Sequence, residues 1–294
     1  MGTYTKTAVL MAALLGLFLL VGRALGGDQG MLAWGAIGLL FNFGAYWFSD
    51  RLALVANRAR PVPREELPQV YEIVEELTSR AGLPMPRIYL IPSESPNAFA
   101  TGRNPAHAAV AVTSGILQIL DRRELRAVLA HELSHVKNRD ILIATIAAAV
   151  AGLISAVGSM LRWGVLLGGG GRADRRGSAL ADLAIAIVAP FVALILQLAI
   201  SRSREYGADA SGGVLSEDPE ALASALEKLQ MQSRRRPYPF AGPATAHLFI
   251  VNPLTGRSLG WLLSTHPPTE ERIARLRALA ARLHGGDVRG FVDR

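Results

Sequence analysis

The sequence predicts a mainly α-helical membrane protein, with four membrane-crossing helices and an α+β domain built around a small β-sheet. Three observations carry that expectation. Half of the residues are hydrophobic and only 19% are charged, a balance richer in apolar residues than a water-soluble domain of this size carries. The apolar residues gather into four long runs separated by polar stretches. Those polar stretches mix a helical period of hydrophobic residues with short runs of β-branched and alanine residues bounded by turn signals.

A bilayer crossing needs roughly 20 mostly apolar residues to cover ~30 Å of hydrocarbon. Residues 7–22 are uncharged and continue past Arg23, whose long side chain can reach the interface. Residues 29–49 carry no charge, and Trp34, Tyr46 and Trp47 suit the edges of a bilayer. A cleaved signal peptide would also show Lys6 ahead of an apolar run, but a second run after so short a loop favours an uncleaved hairpin. Residues 141–161 and 183–201 are likewise uncharged. Pro190 lies near the middle of the last run, and a hairpin buried in a soluble domain stays open for this pair.

The chain thus divides into a hairpin (7–49), a polar segment (50–140), a second apolar hairpin (141–201) and a second polar segment (202–294). Four crossings put both polar segments on one side. Lys6, Arg51, Arg58 and Arg60 assign that side to the cytoplasm of a multi-pass protein in the cell (inner) membrane. Arg162, Arg172, Arg175 and Arg176, in the loop between the last two runs, run against that assignment. Either the charge rule is broken there or those two runs do not cross completely.

Residues 64–81 read as an amphipathic helix with Leu67, Val70, Ile73, Val74 and Leu77 on one face. Residues 87–91, 97–101 and 108–113 read as short strands. Asp121 and Glu124 form an acidic analogue of a capping box that opens a helix to about Asn138. Residues 219–230 and 269–283 also read as helical. The net charge of +7 could suggest nucleic acid, but the basic residues border the apolar runs and no nucleic-acid motif accompanies them. No nucleic-acid partner is expected, whereas the lipid bilayer is. With no cysteine, disulfides and thiolate metal sites are excluded, so any zinc must be held by His, Glu, Asp and water.

The capped helix carries His131-Glu132-Leu133-Ser134-His135. Four-residue spacing puts both imidazoles on one face, one turn apart, where they can share an ion. Glu132 lies about 100° around the helix, within reach of a water on that ion. At this chain's His and Glu frequencies the pattern is expected about 0.006 times by chance. Zinc in such a site activates water and polarises a carbonyl, with Glu132 moving the proton. Two histidines leave zinc short of ligands. Glu205 is the best third candidate, and Asp209, one turn on, can accept the second N–H of a zinc-bound histidine. Asp140 rivals Asp209 for that task, or else ends the first helix. Because both helices abut apolar runs, the ion is expected close to the membrane surface.

His131-Glu132-x-x-His135 with Glu205-x-x-x-Asp209 is the gluzincin arrangement. With four apolar runs around it, the chain resembles the HtpX-type membrane zinc endopeptidases, relatives of the CAAX prenyl proteases. Asn97-Ala98-Phe99 before the zinc helix, Ser201-Arg202 ahead of Glu205, and Thr265-His266-Pro267-Pro268 followed by Glu271-Arg272-Ile273 extend the likeness to about Leu283. The resemblance implies a gluzincin-like protease domain holding one Zn2+ per subunit. It implies that Asn97, Ala98 and Phe99 form an exposed edge strand that pairs with substrate backbone, and that His266 stabilises an oxyanion. Arg272 is expected in a salt bridge holding the fold. His107, His247 and His284 lack partner spacing and are expected to be structural.

The resulting expectation is an endopeptidase acting on misfolded or unassembled membrane proteins and other unfolded polypeptides in quality control. Processing of a defined or lipidated substrate stays open, although relatives that do this have more spans. So does a non-enzymatic adaptor or chaperone with a structural zinc, which should show four protein ligands rather than three and a spare carboxylate.

Overall fold

The computed structural model describes residues 3–142, 202–235, 250 and 267–284. Helix α1 (Thr3–Ala56) is bent back on itself at Gly26 and Gly27. Gly27 has φ 60°, a left-handed conformation that a side chain would strain, so the turn needs a residue without Cβ. The two arms pack antiparallel. Asn42 Nδ2 donates to Met11 O at 3.0 Å, and the Phe18 ring contacts those of Trp34 and Phe41. Leu32, Leu39, Leu40 and Phe43 remain exposed on the outside. Among the described residues the stretch Gly26–Phe48 is long and apolar enough to cross a membrane, and Thr7–Arg23 is apolar but shorter. The two later runs, apart from Ile141 and Leu142, lie outside the described residues.

The second arm does not stop where its apolar stretch ends; it continues as helix to Ala56 and lands on the sheet. The sheet has four strands in the order β1-β2-β4-β3. β1 (Arg60–Pro61) and β2 (Arg87–Ile91) are antiparallel, β2 and β4 (Ala109–Thr113) parallel, and β3 (Ala98–Thr101) antiparallel to β4 at the edge. Ile88, Ala98, Ala100, Val110 and Val112 point into the main core. Ile91, Phe99, Ala109 and Ala111 point the other way, where Ala53 and Leu54 of α1 cover them. Both faces are therefore buried. The edge strand expected to be exposed is at the edge, but Asn97, Ala98 and Phe99 are all buried: Ala98 points into the main core, Phe99 lies under α1, and Asn97 Oδ1 accepts from Ile250 N.

α2 (Pro68–Ala81) starts at Pro68, four residues later than its hydrophobic period suggests, since proline fits the first turn and not the interior of a helix. Its buried Val70, Ile73, Val74 and Leu77 are the face that the sequence marked. After β4 come α3 (Ser114–Ile119) and α4 (Arg122–Lys137), the latter closed by the reciprocal Asp121–Glu124 capping box. Glu124 also accepts from Ser224 and Lys228 of a later helix, which ties the start of α4 into the core. That helix is α6 (Pro219–Arg235); α5 (Arg202–Leu215) precedes it and α7 (Thr269–His284) packs on it.

Candidate metal centre

α4 is buried along nearly its whole length, and its final two turns present His131 and His135 to one side with ring centroids 4.9 Å apart. α5 crosses it there. The crossing is possible because Gly212 sits on the backbone of α4: a Cβ at this position would lie 2.7 Å from His131 Cα. Buried Ala208 lies on the same face of α5, so Glu205, Ala208, Asp209 and Gly212 form one stripe against the histidine helix.

The stripe delivers both carboxylates. Glu205 Oε2 lies 3.9 Å from His131 Nε2, and Oε1 lies 3.7 Å from His135 Nε2. Donor atoms of these three residues all fall within 4.8 Å of one another. Ligand atoms at tetrahedral zinc lie ~3.4 Å apart for bonds near 2.1 Å, so the cluster is open by up to about 1.4 Å. The outer nitrogens turn to carboxylates. His131 Nδ1 is 3.0 Å from Asp209 Oδ1, short enough for a hydrogen bond but poorly aligned for one. His135 Nδ1 is 3.7 Å from Asp140 Oδ2. The two acids set as rivals by the sequence thus each lie beside a different histidine.

Charge balance fits a cation as well as the spacing does. Burial works against a charged His135, but Asp140, Glu205 and Glu132 outweigh it and lift the imidazole to about 9. A site that drags a buried histidine toward protonation is short of positive charge. Burial pushes the Glu132 carboxyl up, and Glu205 adds to the push against the pull of the two imidazoles. Its Oε2 accepts from the Ala100 backbone N–H at 3.0 Å, linking the edge strand to the centre of the cluster. Asp209 is buried, yet the Arg272 guanidinium holds its carboxyl well below the usual range. Arg272 itself is 1% exposed and grips both oxygens of Asp209, at 2.8 and 2.7 Å, while a third donor reaches Ile250 O at 2.6 Å.

The sequence marks the candidate ligand set and the salt-bridged Arg272; it missed that Arg272 reaches Asp209, as it missed Gly212 and the Ala100 N–H. Continuing the Glu205–Asp209 face by one more turn would have pointed to Gly212. Asn97 lies just ahead of β3, and its Oδ1 accepts from Ile250 N at 3.3 Å. His266 lies outside the described residues. Replacing Gly212 with alanine should force α5 off α4, costing about 1–3 kcal/mol for overpacking and weakening metal binding. Zinc titration with thermal unfolding measures both, and unchanged values would mean that the crossing is not set by this contact.

Comparison with known proteins places this geometry in a family. The peptidase family M48 profile matches residues 64–280. The protease HtpX homolog of Syntrophobacter fumaroxidans is 54% identical over 282 residues, covering 95% of this chain and all of that protein. The one from Desulforapulum autotrophicum is 52% identical over 293 residues, covering 98% of this chain and 91% of that one. The crystal structure of S. mikatae Ste24p shares the fold, with a TM-score of 0.51 at 21% identity over 90% of this chain. This chain spans 62% of that protein's length.

Proposed function

The chain belongs to peptidase family M48 and is a metalloprotease, and from that premise we propose a specific chemistry and substrate class. It is a membrane-bound zinc endopeptidase that hydrolyses misfolded or unassembled membrane proteins, with its protease domain facing the cytoplasm. His131, His135 and Glu205 hold one zinc; Asp209 and Asp140 orient the two imidazoles. The observation that carries the reading is the convergence of these three donors beside a fourth, separate carboxylate, Glu132. A structural zinc closes its shell with protein ligands, whereas a catalytic one keeps a position open.

Zinc, when bound, supplies Lewis acidity that makes water nucleophilic near neutral pH and polarises a carbonyl. Glu132 takes the proton from the attacking water and passes it to the leaving amine. Its burial supports that role, since a carboxyl pushed above its usual range is a better base than an ordinary surface glutamate. The Ala100 N–H fixes Oε2, leaving Oε1 to face the water. In the antiparallel β3–β4 ladder the backbone groups of Asn97 face β4, so those of Ala98 face away from it. Ala98 is therefore the residue of the Asn97–Phe99 trio that pairs with substrate backbone, which requires uncovering an edge that is buried in this structure. His266 donates to the oxyanion.

Detergent-purified protein should cleave unfolded casein, lose that activity to a chelator and regain it with zinc. Glu205→Ala should lower bound zinc from about one per chain to well below half, because removing one of three ligands costs most of the affinity. Zinc stoichiometry by elemental analysis decides it; an undiminished value would assign the third ligand elsewhere.

A further inference from the structure

The contacts between α1 and the sheet fix where the cutting edge stands relative to the bilayer. Past Gly27 the second arm of α1 runs to Ala56 with no further break, so the direction of the apolar stretch is carried rigidly into the protease domain. Trp47 lies in the last turn of that stretch, and the Arg103 guanidinium stacks over its ring at 4.6 Å. Arg103 lies two residues past the end of β3. One turn further along α1, Asp50 accepts from Arg87, the first residue of β2, at 2.9 Å. Another turn on, Ala53 and Leu54 share one buried cluster with Phe99 of β3 and Ile91 of β2.

Thr101 is level with Ala109 and Arg87 in the sheet, so β3 runs opposite to α1, with its Thr101 end toward the apolar stretch. Two routes then measure the height of the reacting groups. Seven helical residues from Trp47 to Leu54 rise about 10 Å. Three residues from Arg103 back to Ala100, whose N–H holds Glu132, span at most about 10 Å. An indole at the end of an apolar stretch marks the membrane–water interface. Glu132 therefore stands no more than about 10 Å above it, a distance that three extended residues cross.

We infer that the substrates of this centre are juxtamembrane segments: polypeptide within a few residues of a membrane span, entering along β3. The inference rests on the zinc-endopeptidase reading above and adds the position of the cut. A chain leaving the bilayer beside α1 is already directed along the edge strand, and tethering in the same membrane raises its effective concentration there. A soluble folded domain gains neither advantage.

The test uses the full-length protein co-reconstituted in vesicles with single-span proteins. In each, a stable folded domain follows the span through a linker of about 8 or about 24 residues of one unstructured sequence. The short linker reaches about 25 Å when extended, enough to enter a site 10 Å from the surface but not one 30 Å away with cleft residues on both sides. Cleavage of the short linker within about threefold of the long one, with mass-mapped cuts in the first few residues after the span, is the expected result. Cleavage of the long linker alone, more than about tenfold faster, overturns the inference. Casein cleavage in detergent by the same preparation reports separately on the zinc-endopeptidase reading, and Glu132→Gln protein provides the blank.

Discussion

Glu132→Gln is expected to lower cleavage of an unfolded polypeptide by about a thousandfold while bound zinc stays unchanged. The substitution keeps the volume of the side chain and an oxygen to accept from the Ala100 N–H, so the local structure has no reason to move. What it removes is the ability to take a proton. Glu132 is 6% exposed and lies beside Glu205, so losing its charge also relieves a repulsion in the cluster rather than creating a vacancy. Zinc should accordingly be held at least as well as in the parent protein. The two measurements are turnover of casein and zinc content of the same purified sample. Activity within about tenfold of the parent would remove Glu132 as the base, and loss of zinc would turn it into a ligand.

Much of the centre was legible because it is built from local spacing. Two residues four apart on one helix share a face whatever the fold, so His131 with His135 and Glu205 with Asp209 declare themselves in sequence. The Asp121–Glu124 capping box is local in the same sense and appears as read. What the sequence could not give is how the two helices meet. Gly212 looks like any helical glycine until its missing Cβ is seen against His131 Cα. β1 has two residues, too few to show a period, and α3 has six. The exposure of β3 was misread for a related reason. An Ala-Phe-Ala-Thr strand shows that side chains alternate, but not that Ala53 and Leu54, more than forty residues upstream, cover the face carrying Phe99.

Removing the Arg272 guanidinium is expected to have the second large effect, on stability and on metal binding together. Arg272 and Asp209 are 1% and 3% exposed, so each charge is tolerated only because the other is there. Arg272→Leu would strand the Asp209 carboxylate in the core and leave Ile250 O without its donor, for a cost of about 3–5 kcal/mol. Arg272→Lys keeps the charge but cannot reproduce two parallel bonds from one planar group. Its protein should fold with a smaller loss, yet Asp209 would be free to turn, and His131 would lose the carboxylate facing its Nδ1. Outer contacts of this kind are worth about 10–100-fold in metal affinity. Zinc titration against a competing chelator, set beside unfolding of the zinc-free protein, separates the two contributions. An Arg272→Lys protein that binds zinc as tightly as the parent would confine Arg272 to holding the fold. If instead affinity falls and the Asp209→Asn change adds little to it, the guanidinium acts on the metal through that single carboxylate.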